Sequence, residues 1–357
     1  MKKQMEERLQ ALRHLKELIG APVMGPVYPV WSGLPQHLQE RMENANSDRT
    51  AAKWSRTVSR LPEWTTAVPV PDKRFISHAR WVWGEYICGN EELFQVLLRH
   101  AVEYARTGRT RAIAVIGPPG IGKTAVGQVY ARMLGLPYYF IYAPSAATGR
   151  GLAGDPGLYS GSACGCLADA ILTTGTGNPV IHIDELEKVG RGHSNKADLR
   201  EELLAALDGS AEHWTDNYLE FPIDISHIPF YITANDKSRL PEPLLDRVDV
   251  VEMKPLTYET VRSITKKFTI PRKIRSYGSE QRAVVFREDA ADYMVDTMWR
   301  RGFTDNRDYE KMVERLISDA YIDYLEGDEQ ETIAITRETM EAKLPPPMRT
   351  EVQIGFR

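Results

Sequence analysis

GPPGIGKT, residues 117–124, decides how the rest of the chain is read. It follows AIAVI (112–116), a short apolar run that ends at glycine, as a buried parallel strand does. It opens a helical pattern over 123–134. Glycines at 117, 120 and 122 let the backbone curl so that its N–H groups converge on phosphate oxygens. The N-terminus of the following helix adds partial positive charge. The spacing G-x-x-x-x-G-K-[ST] between a strand and a helix is therefore that of a nucleotide phosphate loop. In it, Gly117, Pro118, Pro119, Gly120, Ile121, Gly122 and Ala125 line the phosphates. Lys123 reaches the β- and γ-phosphates, and Thr124 offers its hydroxyl to Mg2+. ATP and Mg2+ are the expected cofactors.

Four further apolar runs repeat the strand pattern: YYFIYA (138–143), PVIHID (179–184), PFYIT (229–233) and VDVVEM (248–253). Helical stretches at 123–134, 163–173, 197–208 and 241–246 separate them. Strands alternating with helices imply an α/β fold, a parallel sheet covered on both faces. Upstream, Met5, Leu9, Leu12 and Ile19 have the spacing of an amphipathic helix over 2–19, which Gly20 stops. Helical patterns follow over 35–60 and 72–106, broken by LPEW (61–64) and VPVP (68–71). After Tyr258 the chain reads as helical to residue 325, and the tail from Thr332 reads as loosely structured. The expected divisions are an N-terminal helix and linker (1–30) and a helical extension (31–106). An α/β nucleotide-binding domain (107–257), a small helical domain (258–328) and a C-terminal tail (329–357) follow.

Composition narrows the class. Apolar residues make up 42% and charged ones 26%, the balance of an ordinary globular protein. No apolar run is long enough for a membrane span, and the charged N-terminus is not a secretory signal. Three cysteines cannot build a disulfide framework and point to a reducing compartment, so the cytoplasm is the expected location. Cys164 and Cys166 lack the second pair that a structural zinc needs, and read as small buried residues. A net charge of −4 gives no blanket attraction to nucleic acid.

VIHIDELEK (180–188) supplies the second half of the site. A strand that ends in Asp184 and Glu185 presents two carboxylates at the carboxyl edge of the sheet, where ligands of open α/β folds sit. Asp184 would hold the metal through water and Glu185 would polarise the attacking water. Adjacent carboxylates at a helix start also serve as caps. FYITAND (230–236) brings Asn235 to the same edge, where an amide can orient the lytic water. PLLDRVD (243–249) carries Arg247. It is either a surface ion pair or a finger reaching into a neighbouring subunit's site. In the second case the active form is a ring, because no single chain completes the site.

GPPGIGKT, VIHIDELEK, ITAND and PLLDR together resemble the AAA+ ATPases. Within them, the run from Leu203 to Met253, LLAALDGSAEHWTDNYLEFPIDISHIPFYITANDKSRLPEPLLDRVDVVEM, is similar to the ATPase module of the Lon proteases. The likeness spans residues 34–325 and is strongest over 112–275. It implies a homo-oligomeric ring, a hexamer, acting on a polypeptide client. NRDYEKMVERL resembles the segment with the family's sensor-2 arginine, which places that role on Arg307. LYSGSACGCLADAI aligns with the aromatic-glycine pore loop, which would put Tyr159 and Ser160 in a central channel. The ring would grip polypeptide by apolar contact without reading sequence; the alternative is a tyrosine packed on its own domain. GRGHSNKAD (190–198) would be a second pore loop, with Arg191, His193 and Lys196. Tyr86 to Gly89 would contact the adenine.

Two departures stand out. The chain stops too soon after Arg307 for the family's peptidase domain, and no segment resembles its Ser–Lys dyad. The large N-terminal substrate-recruiting region has no counterpart either. The expectation is a Lon-type ATPase motor without intrinsic peptidase, served by a separate peptidase if it degrades anything. A second reading is a regulator acting on nucleic acid through the basic run Lys266, Lys267, Arg272, Lys273, Arg275, Arg282. A third is a scaffold whose assembly nucleotide controls. No membrane role is expected.

Overall fold

The computed structural model describes residues 36–43, 49–62, 65, 66, 68, 70–156, 161–189, 198–208, 211–276, 283–326 and 332–344. They fall into two compact units. One gathers the residues up to Glu85 with 90–117 and 123–253; the other gathers 86–89, 118–122 and the residues from Lys254 onward. The helix expected over 2–19 lies outside the described residues.

The first unit is built on the strands read from the sequence. They are β1 (Ala112–Ile116), β2 (Tyr138–Tyr142) and β3 (Val180–Asp184), then a short hairpin of β4 (Trp214–Thr215) and β5 (Pro222–Ile223), then β6 (Phe230–Ala234) and β7 (Val248–Glu252). Five of them pair in parallel, in the order β2-β3-β6-β1-β7. The apolar runs have no polar alternation because the central strands are covered on both faces: β1 and β6 are buried at every position.

Helices Lys123–Leu134, Ala143–Thr148, Cys166–Thr174, Leu199–Ala206 and Glu242–Leu245 lie between the strands. The sequence pattern shows all but Ala143–Thr148, a single short stretch holding Pro144. Alternation divides the sheet chemically. Ala112, Ala114, Ile116, Ile181, Ile183, Phe230, Ile232 and Ala234 join one hydrophobic core with Leu167, Ile171 and Leu203. The opposite face carries His182, Tyr231 and Thr233, each with no exposed surface.

The N-terminal helices belong to this unit. Helices Gln36–Glu43 and Arg49–Val58 bury Leu38, Trp54 and Val58 in the same core. The Trp54 indole donates to the Leu219 carbonyl at 3.2 Å. Helices Lys73–Tyr86 and Glu91–Thr107 break at Gly89 and Asn90, both at positive φ. The second ends at Gly108, φ 71°, whose N–H caps Tyr104. Buried Asn178 then ties three segments together. It donates to the Thr66 carbonyl at 2.9 Å and to the Tyr104 hydroxyl at 2.8 Å, and that hydroxyl donates to the His227 carbonyl at 2.7 Å.

The second unit is mainly helical: Tyr258–Ile264, a π-helical turn at Thr265–Thr269, Ile270–Ser276, Glu288–Arg300 and Asn306–Glu326. It corrects the reading of a loose tail. Residues Thr332–Ile335 form β9, which pairs in parallel with β8 (Ala283–Phe286), and helix Arg337–Lys343 follows. The reason is visible in the residues. Ile333 and Ile335 alternate inward, Thr336 caps the helix, and Met340 and Leu344 bury behind it.

Candidate functional site

The carboxyl edge of the sheet collects the polar residues of the first unit. Lys123, the first residue of its helix, is 8% exposed. It donates to the Gly117 carbonyl at 2.7 Å and to Asn235 Oδ1 at 2.8 Å. Asn235 stands one residue past β6, and its amide nitrogen donates to Glu187 Oε1 at 2.6 Å. Glu187 is buried, and its other oxygen has no hydrogen-bond partner. Sequence reasoning assigned Glu187 nothing. The available signal was a third carboxylate in DELE, three residues beyond Asp184.

Asp184 ends β3, half-buried, and accepts the Thr233 hydroxyl through Oδ1. Glu185 follows in the left-handed region, φ 57° and ψ 41°. That conformation is uncommon for a side chain with a Cβ, and such strain gathers at functional sites. Its carboxylate accepts Lys188 Nζ at 2.8 Å and also the Tyr142 hydroxyl from the neighbouring strand. Asp184 and Glu185 are therefore not spent as helix caps: the turn that follows has no side-chain cap bond.

Behind Asp184 lies a buried network that sequence reasoning missed. His182 Nε2 is 2.9 Å from Thr233 Oγ1, and its Nδ1 is 2.6 Å from the Tyr138 hydroxyl. Burial pushes the imidazole down to about 3, so it is neutral at physiological pH. The same burial pushes the Tyr231 phenol up, and its hydroxyl donates to the Lys123 carbonyl at 2.9 Å. The sequence signal was a histidine inside an apolar strand, VIHID.

Thr124 is half-buried and Ala125 exposed in the first turn of the Lys123 helix. In the second unit, Gly120 and Gly122 have φ of 76° and 98°, as the curled loop requires, and Ile121 is buried. A Cβ on Gly120 would fall on the Asp305 carboxylate, so glycine is required there twice over. Asp305 Oδ1 also accepts the Arg307 backbone N–H at 2.8 Å, and the Arg307 side chain is exposed. Tyr86 is 43% exposed. Arg247, in the first unit, donates to the Pro243 carbonyl at 3.0 Å and lies 3.8 Å from Asp208.

Tyr159 and Ser160 lie outside the described residues, as do Arg191, His193 and Lys196. The flanks of 157–160 are described. Asp155 N–H donates to the Ala163 carbonyl at 3.2 Å, and the Ser162 hydroxyl to the Pro156 carbonyl at 2.7 Å. Lys53 holds the Ser162 carbonyl at 2.6 Å. These bonds pin the two flanks to each other.

The donor set suits a hard cation held with a nucleotide. Thr124 and Asp184 offer oxygens, and among the described residues no group of three His, Cys, Asp or Glu could hold a metal unaided. Mg2+ is commonly held by one or two protein oxygens with phosphates completing the shell. Much of the basic run of the second unit is neutralised internally. Lys266 pairs with Glu288 and Asp292, Arg272 with Glu310, and Lys273 with Glu314. Among the described residues no helix is long and apolar enough to cross a membrane.

Residues 113–256 match the model of the ATPase family associated with various cellular activities (AAA). The chain is 28% identical over 243 residues to Lon protease 1 of Syntrophotalea carbinolica, an alignment covering 68% of this chain and 29% of that protein. It is 29% identical over 349 residues to Lon protease 2 of Sorangium cellulosum, covering 96% of this chain and 41% of that protein. A mitochondrial Lon protease homolog of Emericella nidulans is 28% identical over 307 residues, 81% of this chain and 27% of its own. The chain spans well under half the length of these relatives.

Proposed function

We propose that the chain is an ATP-hydrolysing ring motor that remodels or threads polypeptide, a reading supported by the match of residues 113–256 to the AAA ATPase family model and by the similarity to Lon proteases. The observation that carries the hydrolytic reading is the convergence of Lys123, Asn235, Asp184 and Glu185 on the carboxyl edge of one parallel sheet. Lys123 is pre-positioned there. On binding, β/γ-phosphate oxygens replace the Gly117 carbonyl and Asn235 Oδ1 as partners of its ammonium. Freed from Lys123 but still held by Glu187, Asn235 turns its amide to the attacking water. Glu185 takes the proton of that water as it attacks the γ-phosphorus, and ADP leaves with the β-phosphate oxygen. Thr124 and Asp184 would hold Mg2+, which supplies charge neutralisation at the phosphates when bound. Arg247 of a neighbouring copy adds charge to the transition state, and Arg307 couples the nucleotide to the small domain.

Two observations support a polypeptide client. The described flanks of the Tyr159 segment, Asp155 and Pro156 before it and Ser162 and Ala163 after it, are bonded to each other in the first unit, the anchorage a gripping loop needs. Three of the six cations proposed for nucleic acid, Lys266, Arg272 and Lys273, are paired with carboxylates. ATP turnover with and without an unfolded protein such as casein tests the reading, in the wild type, Glu185→Gln and Tyr159→Ala. Glu185→Gln is expected to keep ATP affinity while turnover falls about 10²–10⁴-fold. Casein should stimulate the wild type and not Tyr159→Ala. Rapid turnover by Glu185→Gln sinks the catalytic assignment, and indifference to both casein and Tyr159 sinks the polypeptide client.

A further inference from the structure

One face of the sheet carries an unbroken row of side chains from its edge strand to Asp184. Tyr138 on β2 lies 2.6 Å from His182 Nδ1, His182 Nε2 lies 2.9 Å from Thr233 Oγ1 on β6, and Thr233 bonds Asp184 Oδ1. The carboxylate at the end sets the direction of every proton in the row. An ionised carboxylate only accepts, so the Thr233 hydroxyl donates to it. The Thr233 oxygen is then the acceptor for His182 Nε2–H. That leaves Nδ1 unprotonated, and the Tyr138 O–H donates to it. An imidazole that carries one proton satisfies all three bonds with this polarity.

The row is also rigid. His182 has no exposed surface. The Tyr231 and Phe140 rings stand edge-on to it, centroids 4.9 and 5.3 Å away at 84° and 90°. A Cβ on Gly127 would lie 3.1 Å from Nδ1, so the helix backbone closes the remaining side. An imidazole walled in this way cannot turn, and buried hydrogen bonds in series polarise one another. Asp184 is thereby held through Oδ1.

We infer that His182, with Tyr138 behind it, is a positioning residue that fixes the Asp184 carboxylate for the Mg2+ of the bound nucleotide. The inference rests on the ATP-site reading above. Supporting side chains of this kind are typically worth about 10–100-fold in metal affinity.

The experiment is equilibrium binding of a fluorescent ATP analogue to the full chain during a Mg2+ titration, with thermal unfolding measured alongside. His182→Leu should need about 10-fold or more Mg2+ for half-maximal enhancement, while binding in EDTA is unchanged. His182→Gln keeps an N–H for Thr233 and should recover most of the loss. Tyr138→Phe removes one hydroxyl and no packing; it should shift the midpoint the same way by less, and it decides the matter if His182→Leu does not fold. Wild-type Mg2+ midpoints in His182→Leu and Tyr138→Phe, with lowered unfolding temperatures alone, would overturn the inference and leave the row a structural one. Asp184→Asn separates the two readings. If it too keeps the wild-type midpoint, the assignment of the metal site has failed, not only the role of His182.

Discussion

At the scale of single residues, the site depends on a glycine outside the phosphate loop. Gly127 lies in the helix that Lys123 begins, and a Cβ there would sit 2.7 Å from the Tyr231 ring. Alanine at a helical position gains roughly 1 kcal/mol over glycine from propensity alone. Here the ring cannot yield, because Tyr231 is fully buried and its hydroxyl holds the Lys123 carbonyl. Overpacking of a closed core costs about 1–3 kcal/mol. Gly127→Ala is therefore expected to destabilise the protein in chemical denaturation and to weaken ATP binding, since the lysine backbone moves with the ring. A variant as stable as the wild type would show that helix and sheet can part without cost.

At the scale of elements, most of the first unit was legible. The three central strands, β1, β3 and β6, are short apolar runs that lead to Gly117, Asp184 and Asn235, and such runs declare themselves because both faces are buried. The network behind Asp184 was not legible. It needs Tyr138, His182 and Thr233 to be neighbours across three strands, and strand order is not written in local periodicity. The β8–β9 pair was missed for the same reason: its partners are four residues each and lie far apart in the chain. The WTDNYLE run shows the converse, a local signal with a physical reason. Asp216 is wholly buried; Oδ2 accepts Gly165 N–H, and Oδ1 accepts Tyr218 and Leu219 N–H. Burial outweighs those bonds and pushes its carboxyl up to about 6. A folded pKa above the unfolded one means that the folded chain holds a proton which the unfolded chain has released. This contribution is complete below about pH 4 and is lost as pH rises through about 6. Asp216→Asn cannot titrate. Its deficit in urea denaturation should be larger at pH 5 than at pH 7.5, by about 1 kcal/mol. An equal deficit at both values would mean that the Asp216 carboxyl is not raised.

At the scale of the whole molecule, the proposal turns on whether one chain can complete its own site. Glu185 is held by Tyr142 and Lys188. Arg247, in the same unit, is engaged with Pro243 and Asp208 instead of with Glu185 or Asp184. A cyclic assembly repeats one heterologous contact, so each Arg247 would be presented to the Glu185 of the next copy. Subunit mixing separates this from a local ion pair. Arg247→Ala and Glu185→Gln should each be nearly inactive alone, the first because such a charge is worth about 10³–10⁵ in rate. Mixed in equal amounts before assembly, they should regain activity. A site needs an intact Glu185 from one copy and an intact Arg247 from its neighbour, and random mixing provides both at roughly a quarter of sites. If Arg247 serves only its own chain, every mixed site has one defect and no activity returns. Recovery would make the ring the catalytic unit, whereas an inert mixture of well-assembled variants would remove Arg247 from the neighbour's site.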